Sequence, residues 1–172
     1  MSVTLQEGAM DAVTEEITQA TQTLHLRIIR NLRIAGEEAV KKARLMATKD
    51  GVGGGGVLPP YTVQTGNLVS SVGYAVVQDG QIVTMSSFQA VQGRTDKNGI
   101  PLGDGQEGSA KGKEYVKELA MRFPQGYALI LVAGMHYASY VQELHHRDVL
   151  VSGSLVAEQL IREIQDKFNR EK

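Results

Sequence analysis

Histidines and carboxylates in the last third of the sequence are the residues whose types could perform metal chemistry. His136, His145 and His146 stand close to Glu143 and Asp148, and imidazole and carboxylate groups are zinc ligands. The HExxH signature is missing, however, and adjacent histidines point in different directions on a helix. We therefore interpret this group as a polar turn or as histidines of a subunit interface, and we expect no metal and no cofactor.

A glycine-rich segment at 51–56 (GVGGGG) resembles a phosphate-binding loop in composition alone. A phosphate loop requires GxxxxGK followed by Ser or Thr between a strand and a helix, whereas this segment follows a helical pattern and leads to Pro59 and Pro60. The Gly-Lys pair further along the chain has Glu107 in place of the first glycine and Glu114 in place of the hydroxyl. No serine lies in the GxSxG pattern of hydrolases. The sequence therefore predicts neither a nucleotide site nor enzyme activity.

Composition excludes several further classes of protein. The chain has 172 residues and no cysteine, which excludes disulfide frameworks, thiolate metal sites and a cysteine nucleophile. Its 18 basic and 19 acidic side chains give a formal charge of −1, whereas a DNA-reading domain is expected to be basic. No apolar run approaches the roughly 20 residues of a membrane span, and the first ten residues contain no Lys or Arg, unlike a signal peptide. We expect a soluble protein that does not bind membranes.

The elements that would position these residues begin with a long helix over residues 1–50. Between positions 11 and 48, apolar residues recur every three or four positions, as on one face of a helix. They are Ile17, Leu24, Ile28, Leu32, Ala35, Ala39, Ala43 and Met46. The second half of this stripe is mostly alanine, which lets another backbone approach closely. We expect a partner helix from another subunit to contact Ala35, Ala39 and Ala43.

The middle of the chain reads as a loop, a hairpin and a second loop. Glycine and proline predict a loop at 51–64, and residues 65–90 predict a β-hairpin in which Asp79 and Gly80 form a type I′ turn. Residues 91–112 combine glycines with mixed charge and few apolar side chains, so we expect an exposed loop that becomes ordered against a neighbouring subunit. The expected contact residues of this loop are Arg94, Asp96, Lys97 and Asp104.

Residues 113–172 are predicted to form a helix, a strand and two further helices. The first helix covers 113–122, and the charge-free run 127–133 is typical of a central strand. Residues 137–144 give one or two helical turns, and Ser154 is expected to cap the last helix. The sequence therefore predicts a single α+β domain over 1–172. It has a long N-terminal helix, a small, mainly antiparallel sheet with a β-hairpin, helices packed on one face of that sheet, and a C-terminal helix.

Two short segments, YTVQTGNLVSSVG at 61–73 and GMHYASYVQ at 134–142, resemble the tail-completion, or head–tail joining, proteins of tailed bacteriophages. Members of that family have a long N-terminal helix, a TG-x-L-x-x-S-I entry into a β-hairpin, a variable loop, and a strand leading into Y-A-x-Y-V-E before a C-terminal helix. The matching residues are Thr65, Gly66, Leu68, Ser71 and Val72 in the first motif and Tyr137, Ala138, Tyr140 and Val141 in the second. The sequence departs from the family pattern in four places. Val69 replaces a basic residue, Gln142 replaces the glutamate, Leu144-His145 replaces a glycine-threonine pair, and residues 149–153 stand where a proline-rich bend is usual.

The resemblance implies a structural virion protein that forms a homo-oligomeric ring in the neck and joins the head connector to the tail. Its implied partners are further copies of itself and the neighbouring neck, connector and tail-tube proteins. DNA would pass through the channel without sequence-specific binding, and the protein would be located in the virion after assembly in the bacterial cytoplasm. The alternative is a cytoplasmic α+β adaptor without catalytic activity that dimerises through its alanine-lined helix.

Overall fold

The computed structural model describes residues 7–48 and 52–170. In chain order the elements are α1 (Glu7–Leu45), β1 (Ala47–Thr48), β2 (Tyr61–Thr62), α2 (Asn67–Ser70), β3 (Val72–Gln78), β4 (Gln81–Met85), α3 (Gln106–Ala120), β5 (Tyr127–Ala133), α4 (Ala138–Glu143) and α5 (Val151–Arg170). The predicted α+β class is confirmed, with a long N-terminal helix, a small antiparallel sheet and a C-terminal helix. The ends of the predicted 1–50 helix and Gly51, the first residue of the predicted loop, lie outside the described residues.

The sheet has three antiparallel strands in the order β4-β3-β5. Asp79 and Gly80 connect the hairpin with φ values of 50° and 81°, as the predicted type I′ turn requires. The strand predicted at 127–133 is confirmed, but it lies at an edge, and β3 is the central strand. β3 takes this place because its residues are buried from Val72 through Val77.

Helices cover both faces of this sheet, so the prediction that they pack on one face is wrong. On one face, Gly36 of α1 lies against the ring of Tyr74. On the other face, Val116 and Ala120 of α3 share a buried cluster with Ala75 and its neighbours on β3 and β5. The physical reason is that β3 carries apolar side chains on both sides, and each side must be covered.

The alanines of α1 are part of the chain's own core. Ala35, Ala39 and Ala43 are 0%, 0% and 1% exposed, and Gly153 of α5 lies against the Ala39 carbonyl and the Ala43 side chain. The prediction that these alanines contact another subunit is therefore wrong. The small residues do admit a second helix at close range, as expected, but that helix is α5 of the same chain.

Helix α3 begins at Gln106, within the segment predicted as a loop over 91–112. Gly108 and Gly112 are buried because their missing side chains make room for the backbone of Asn67 and the ring of Phe88. The true loop therefore ends near residue 105.

The tip of this loop is a small hairpin, closed by a bridge between Thr95 and Pro101. The Asp96 Oδ1 atom accepts the Asn98 and Ile100 N–H groups at 2.8 and 2.9 Å. The four expected contact residues of the loop, Arg94, Asp96, Lys97 and Asp104, are exposed, and their contact with a neighbour stays a prediction.

The first part of α1 extends away from the rest of the fold. Every residue from 10 to 24 is exposed, and we call this segment the arm. At the end of the arm and beyond it, Leu24, Ile28 and Leu32 face Ile161, Ile164 and Phe168 of α5. None of the helices in the described ranges combines the length and the hydropathy needed to cross a membrane.

Candidate functional site

The two segments that carry the family resemblance meet at one surface groove of about 630 Å³. Residues 61–69 form one wall and residues 137–147 form the other, and we call this site the motif groove. Six of the nine predicted motif residues line it: Thr65, Gly66, Leu68, Tyr137, Tyr140 and Val141. The other three, Ser71, Val72 and Ala138, are buried beside it. The structure thus brings together residues that are about 70 positions apart in the sequence.

The first wall depends on a turn that only glycine adopts readily. Gly66 has φ 82° and stands at the N-cap of α2, and a Cβ atom at this position would overlap the Val91 carbonyl oxygen. Ser70 fixes the same turn, since its hydroxyl donates to the Gly66 carbonyl at 2.7 Å and accepts the Val91 N–H at 2.8 Å. Gly66 is therefore a structural requirement of this wall.

The second wall is α4 with the loop that follows it. Tyr137 is half-buried, while Tyr140 is 52% exposed and contacts His145 edge to face with ring centroids 4.8 Å apart. Arg147 connects the walls, because its Nη1 donates to the Pro60 carbonyl at 3.2 Å. Tyr140 thus presents an aromatic ring to any molecule that enters the groove, which is the kind of side chain that dominates protein–protein contacts.

The two motifs approach each other directly, because the Thr65 side chain lies close enough to the Tyr137 hydroxyl to lower its pKa. Burial raises the pKa of the Tyr137 hydroxyl above its ordinary value, and the negative charge of Glu107 raises it further. Tyr137 therefore stays protonated at neutral pH.

A group of buried polar side chains adjoins the first wall of the groove and includes its residue Tyr61. The other members belong to α1 and β1, and the sequence pattern did not predict this group. Tyr61 is 5% exposed, and its hydroxyl has no hydrogen-bond partner in the described part of the chain; the same holds for Arg44 Nε and Thr48 Oγ1. Burial raises the pKa of Tyr61 well above its ordinary value, against the opposing charge of Arg44. Burial also lowers the pKa of Arg44. No local sequence signal marks these residues, because the pairing of β1 with β2 brings Tyr61 next to the end of α1 and to Thr48.

The residues weighed as metal ligands are not brought together. Asp148 is fully buried and bonded to Ser152, whose hydroxyl lies 2.5 Å from Asp148 Oδ2 and whose N–H lies 3.0 Å from Oδ1. His136 contacts Tyr137 and His145 contacts Tyr140 through their rings. Across residues 7–48 and 52–170, no three His, Asp or Glu side chains are placed to hold a metal ion.

Asp148 anchors the start of α5, so the prediction that Ser154 caps this helix is wrong. Ser154 lies inside the first turn, where its hydroxyl donates to the Val151 carbonyl. The Asp148 carboxylate accepts the Ser152 N–H and also the Leu58 N–H at 3.4 Å. A carboxylate at this end of a helix is favoured by the helix dipole.

Comparison with known proteins adds no relative: no family model, no curated protein and no solved structure matches this chain. The motif groove is therefore the feature on which a functional assignment depends.

Proposed function

We propose that this chain is a structural subunit of a tailed bacteriophage or prophage that forms a homo-oligomeric ring in the neck and joins the head connector to the tail. The observation that supports this role is the motif groove. Residues 65–68 and 137–141, which resemble two motifs of the head–tail joining family, converge on one surface groove, where the Thr65 side chain lies close to the Tyr137 hydroxyl. Motifs that form a surface together, with no catalytic cluster between them, suit a contact site.

The groove is the site at which a neighbouring neck protein docks. Tyr140 offers an exposed ring, and Arg147 supplies a charge beside it. Both walls pack on one buried cluster that includes Met46, Leu68, Met135 and Ala138, so the groove is preorganised and little ordering is needed on binding. The exposed tip of the 91–105 loop provides a second contact surface on the same subunit.

The electrostatics of the chain agree with a role around a DNA channel. Its formal charge of −1 gives a ring of such subunits no strong attraction for the phosphate backbone, which a basic lumen would retain. The subunit acts without a cofactor and without catalytic activity. The dimeric adaptor considered above loses its expected interface, because α5 covers Ala39 and Ala43.

The test is the mass of the protein in solution, alone and with virion neck components, by size exclusion with light scattering. A ring-sized species, or a monomer that joins only a neck complex, is expected. A stable dimer that ignores neck components contradicts the proposal.

A pair of tyrosine variants then tests the groove. Tyr140→Ala should abolish joining, whereas Tyr115→Ala, which removes a 40% exposed tyrosine from α3, should not. Equal joining by the two variants would assign the contact to another surface.

A further inference from the structure

The arm carries a coiled-coil seam that no other element of the described chain covers between Met10 and Ala20. Apart from Ala12, its apolar residues are spaced alternately three and four apart, at Met10, Val13, Ile17, Ala20 and Leu24. This is a strict a/d heptad pattern, which is narrower than the stripe of a helix packed on a globular core. The side chains of Met10, Val13, Ile17 and Leu24 are 57%, 54%, 61% and 46% exposed.

The seam continues an interface that already exists within the chain. Leu24 and Ile28 lie at the end of the antiparallel α1–α5 pair, against Phe168 of α5. The Arg27 guanidinium covers the Phe168 ring at 4.4 Å from its centroid. From Leu24 towards Met10 the same face of α1 runs on for roughly 22 Å without a partner helix among the described residues.

The composition of the arm makes it a poor helix by itself. Four of its threonine hydroxyls, at 14, 18, 21 and 23, donate to the carbonyl four residues earlier at 2.8–2.9 Å. Threonine is a weak helix former, and isolated helices of about 12–15 residues are marginal in water. A partner helix along the seam would supply the missing stabilisation. Burying the threonine side chains beside it would leave no hydroxyl without a hydrogen bond, because each one already donates to a carbonyl of its own helix.

The charges of the arm disfavour polyanions and are compatible with a parallel copy of the same arm. Residues 10–24 contain Asp11, Glu15 and Glu16 and no basic residue, which disfavours nucleic acid and anionic membranes. In the heptad, Asp11 and Glu15 lie away from the seam. Glu16, at position g, faces the uncharged Thr21 at position e of a parallel identical helix. In an antiparallel pair g faces g, which can bring two copies of Glu16 together.

We infer that the arms of neighbouring copies of this chain associate in parallel through Met10, Val13, Ile17, Ala20 and Leu24. Two heptads are fewer than the three or four that usually sustain a two-stranded coiled coil. Association as a bundle gives each arm two neighbours and so doubles the buried seam. The inference concerns self-association and stands whether or not the chain belongs to a phage neck.

The test uses matched charge variants of the full chain. Ile17→Glu places a carboxylate in the seam, while Gln22→Glu adds the same charge on the opposite face of the arm. Both positions are exposed, so the fold of each variant is retained. Ile17→Glu should weaken self-association at least about tenfold, measured by light scattering across a dilution series, and Gln22→Glu should leave it unchanged. A wild-type chain that is monomeric, or an equal effect of the two variants, overturns the inference.

Cysteine cross-linking tests the parallel register. Because the chain has no cysteine, Ile17→Cys and Gln22→Cys each introduce a unique thiol. Under mild oxidation, Ile17→Cys should form covalent dimers and Gln22→Cys should not. Cross-linking of a Met10→Cys, Leu24→Cys mixture only between unlike chains would indicate an antiparallel pair and would overturn the inference. A monomer that still joins a neck complex overturns the arm contact and leaves the proposed function intact.

Discussion

Replacing Asp148 with alanine removes the anchor that holds the glycine–proline loop, residues 52–60, against the start of α5. The fully buried carboxylate accepts the N–H and the O–H of Ser152, and more weakly the Leu58 N–H. The backbone N–H of Asp148 also donates to the Pro59 carbonyl at 2.8 Å, a contact that the substitution retains. The change therefore isolates the contribution of the carboxylate.

The magnitude follows from the two short hydrogen bonds. Hydrogen bonds to a charged group contribute about 1.5–3 kcal/mol each. Losing two of them should therefore lower the free energy of unfolding by about 3–6 kcal/mol. Because the variant no longer buries a charge, relief from desolvation favours the lower end, about 3 kcal/mol. For a chain of this length that loss lowers Tm by about 6–12 °C.

Urea unfolding followed by circular dichroism measures the change in the free energy of unfolding. Asp166→Ala, on the exposed side of α5, is the matched control and should stay within about 0.5 kcal/mol of wild type. Asp148→Asn keeps one acceptor oxygen and should fall between the two. If Asp148→Ala destabilises the chain by less than about 1 kcal/mol, the carboxylate is not the anchor and the reasoning fails.

Three further predictions concern single residues. Gly66→Ala should cost at least about 2 kcal/mol, because it combines positive φ with a clash against the Val91 carbonyl, while Gly99→Ala, at φ 78° with open space around it, should cost about 1 kcal/mol; equal losses in thermal unfolding would exclude the clash. Tyr61 ionises in the unfolded chain near pH 10 but stays protonated in the fold. Its contribution to the free energy of unfolding is therefore complete below that pH. Above it, this contribution falls by about 1.4 kcal/mol per pH unit. Tyr61→Phe should flatten this alkaline decline in urea unfolding measured between about pH 9 and 11, and an unchanged slope would contradict the assignment. Phe88→Ala should cost about 3–5 kcal/mol, because the 1% exposed ring fills the space between the sheet and α3; a thermal-unfolding loss below about 1.5 kcal/mol would show that the site collapses around the smaller side chain.

Elements with strong local signals could be predicted from the sequence. The Asp79–Gly80 turn and the strand at 127–133 were placed correctly because positive φ at the turn and a charge-free apolar run are local properties. The long first helix was recognised from its apolar spacing, although it ends at Leu45. These features need no knowledge of what packs against them.

The predictions from the sequence are wrong where the structure of a segment depends on which other element packs against it. Gly108 and Gly112 look like loop residues, yet they belong to α3, because Asn67 and Phe88 occupy the space that side chains would fill. The alanines of α1 correctly indicate close approach of a helix, but spacing alone cannot say whether that helix belongs to the same chain. The polar group of Arg44, Thr48 and Tyr61 depends on a two-residue strand pairing that leaves no periodic signal.

The arm and the motif groove lie towards opposite ends of α1, and this separation determines where the grooves lie in a ring of parallel copies. β1 follows α1 directly and pairs with β2 at the edge of the groove, whereas the arm is at the other end, with more than 20 residues of helix between them, roughly 30 Å. If the arms of all copies run parallel, rotational symmetry places every groove at the same end of the assembly. Such an assembly has two different ends, which is what a joint between two different structures requires.

The two surfaces can therefore be disabled independently: Ile17→Glu should reduce the mass of the free protein, and Tyr140→Ala should block joining while leaving that mass unchanged. Loss of both properties in either single variant would mean that the arm and the groove form one interface, and that the arm of one copy occupies the groove of the next.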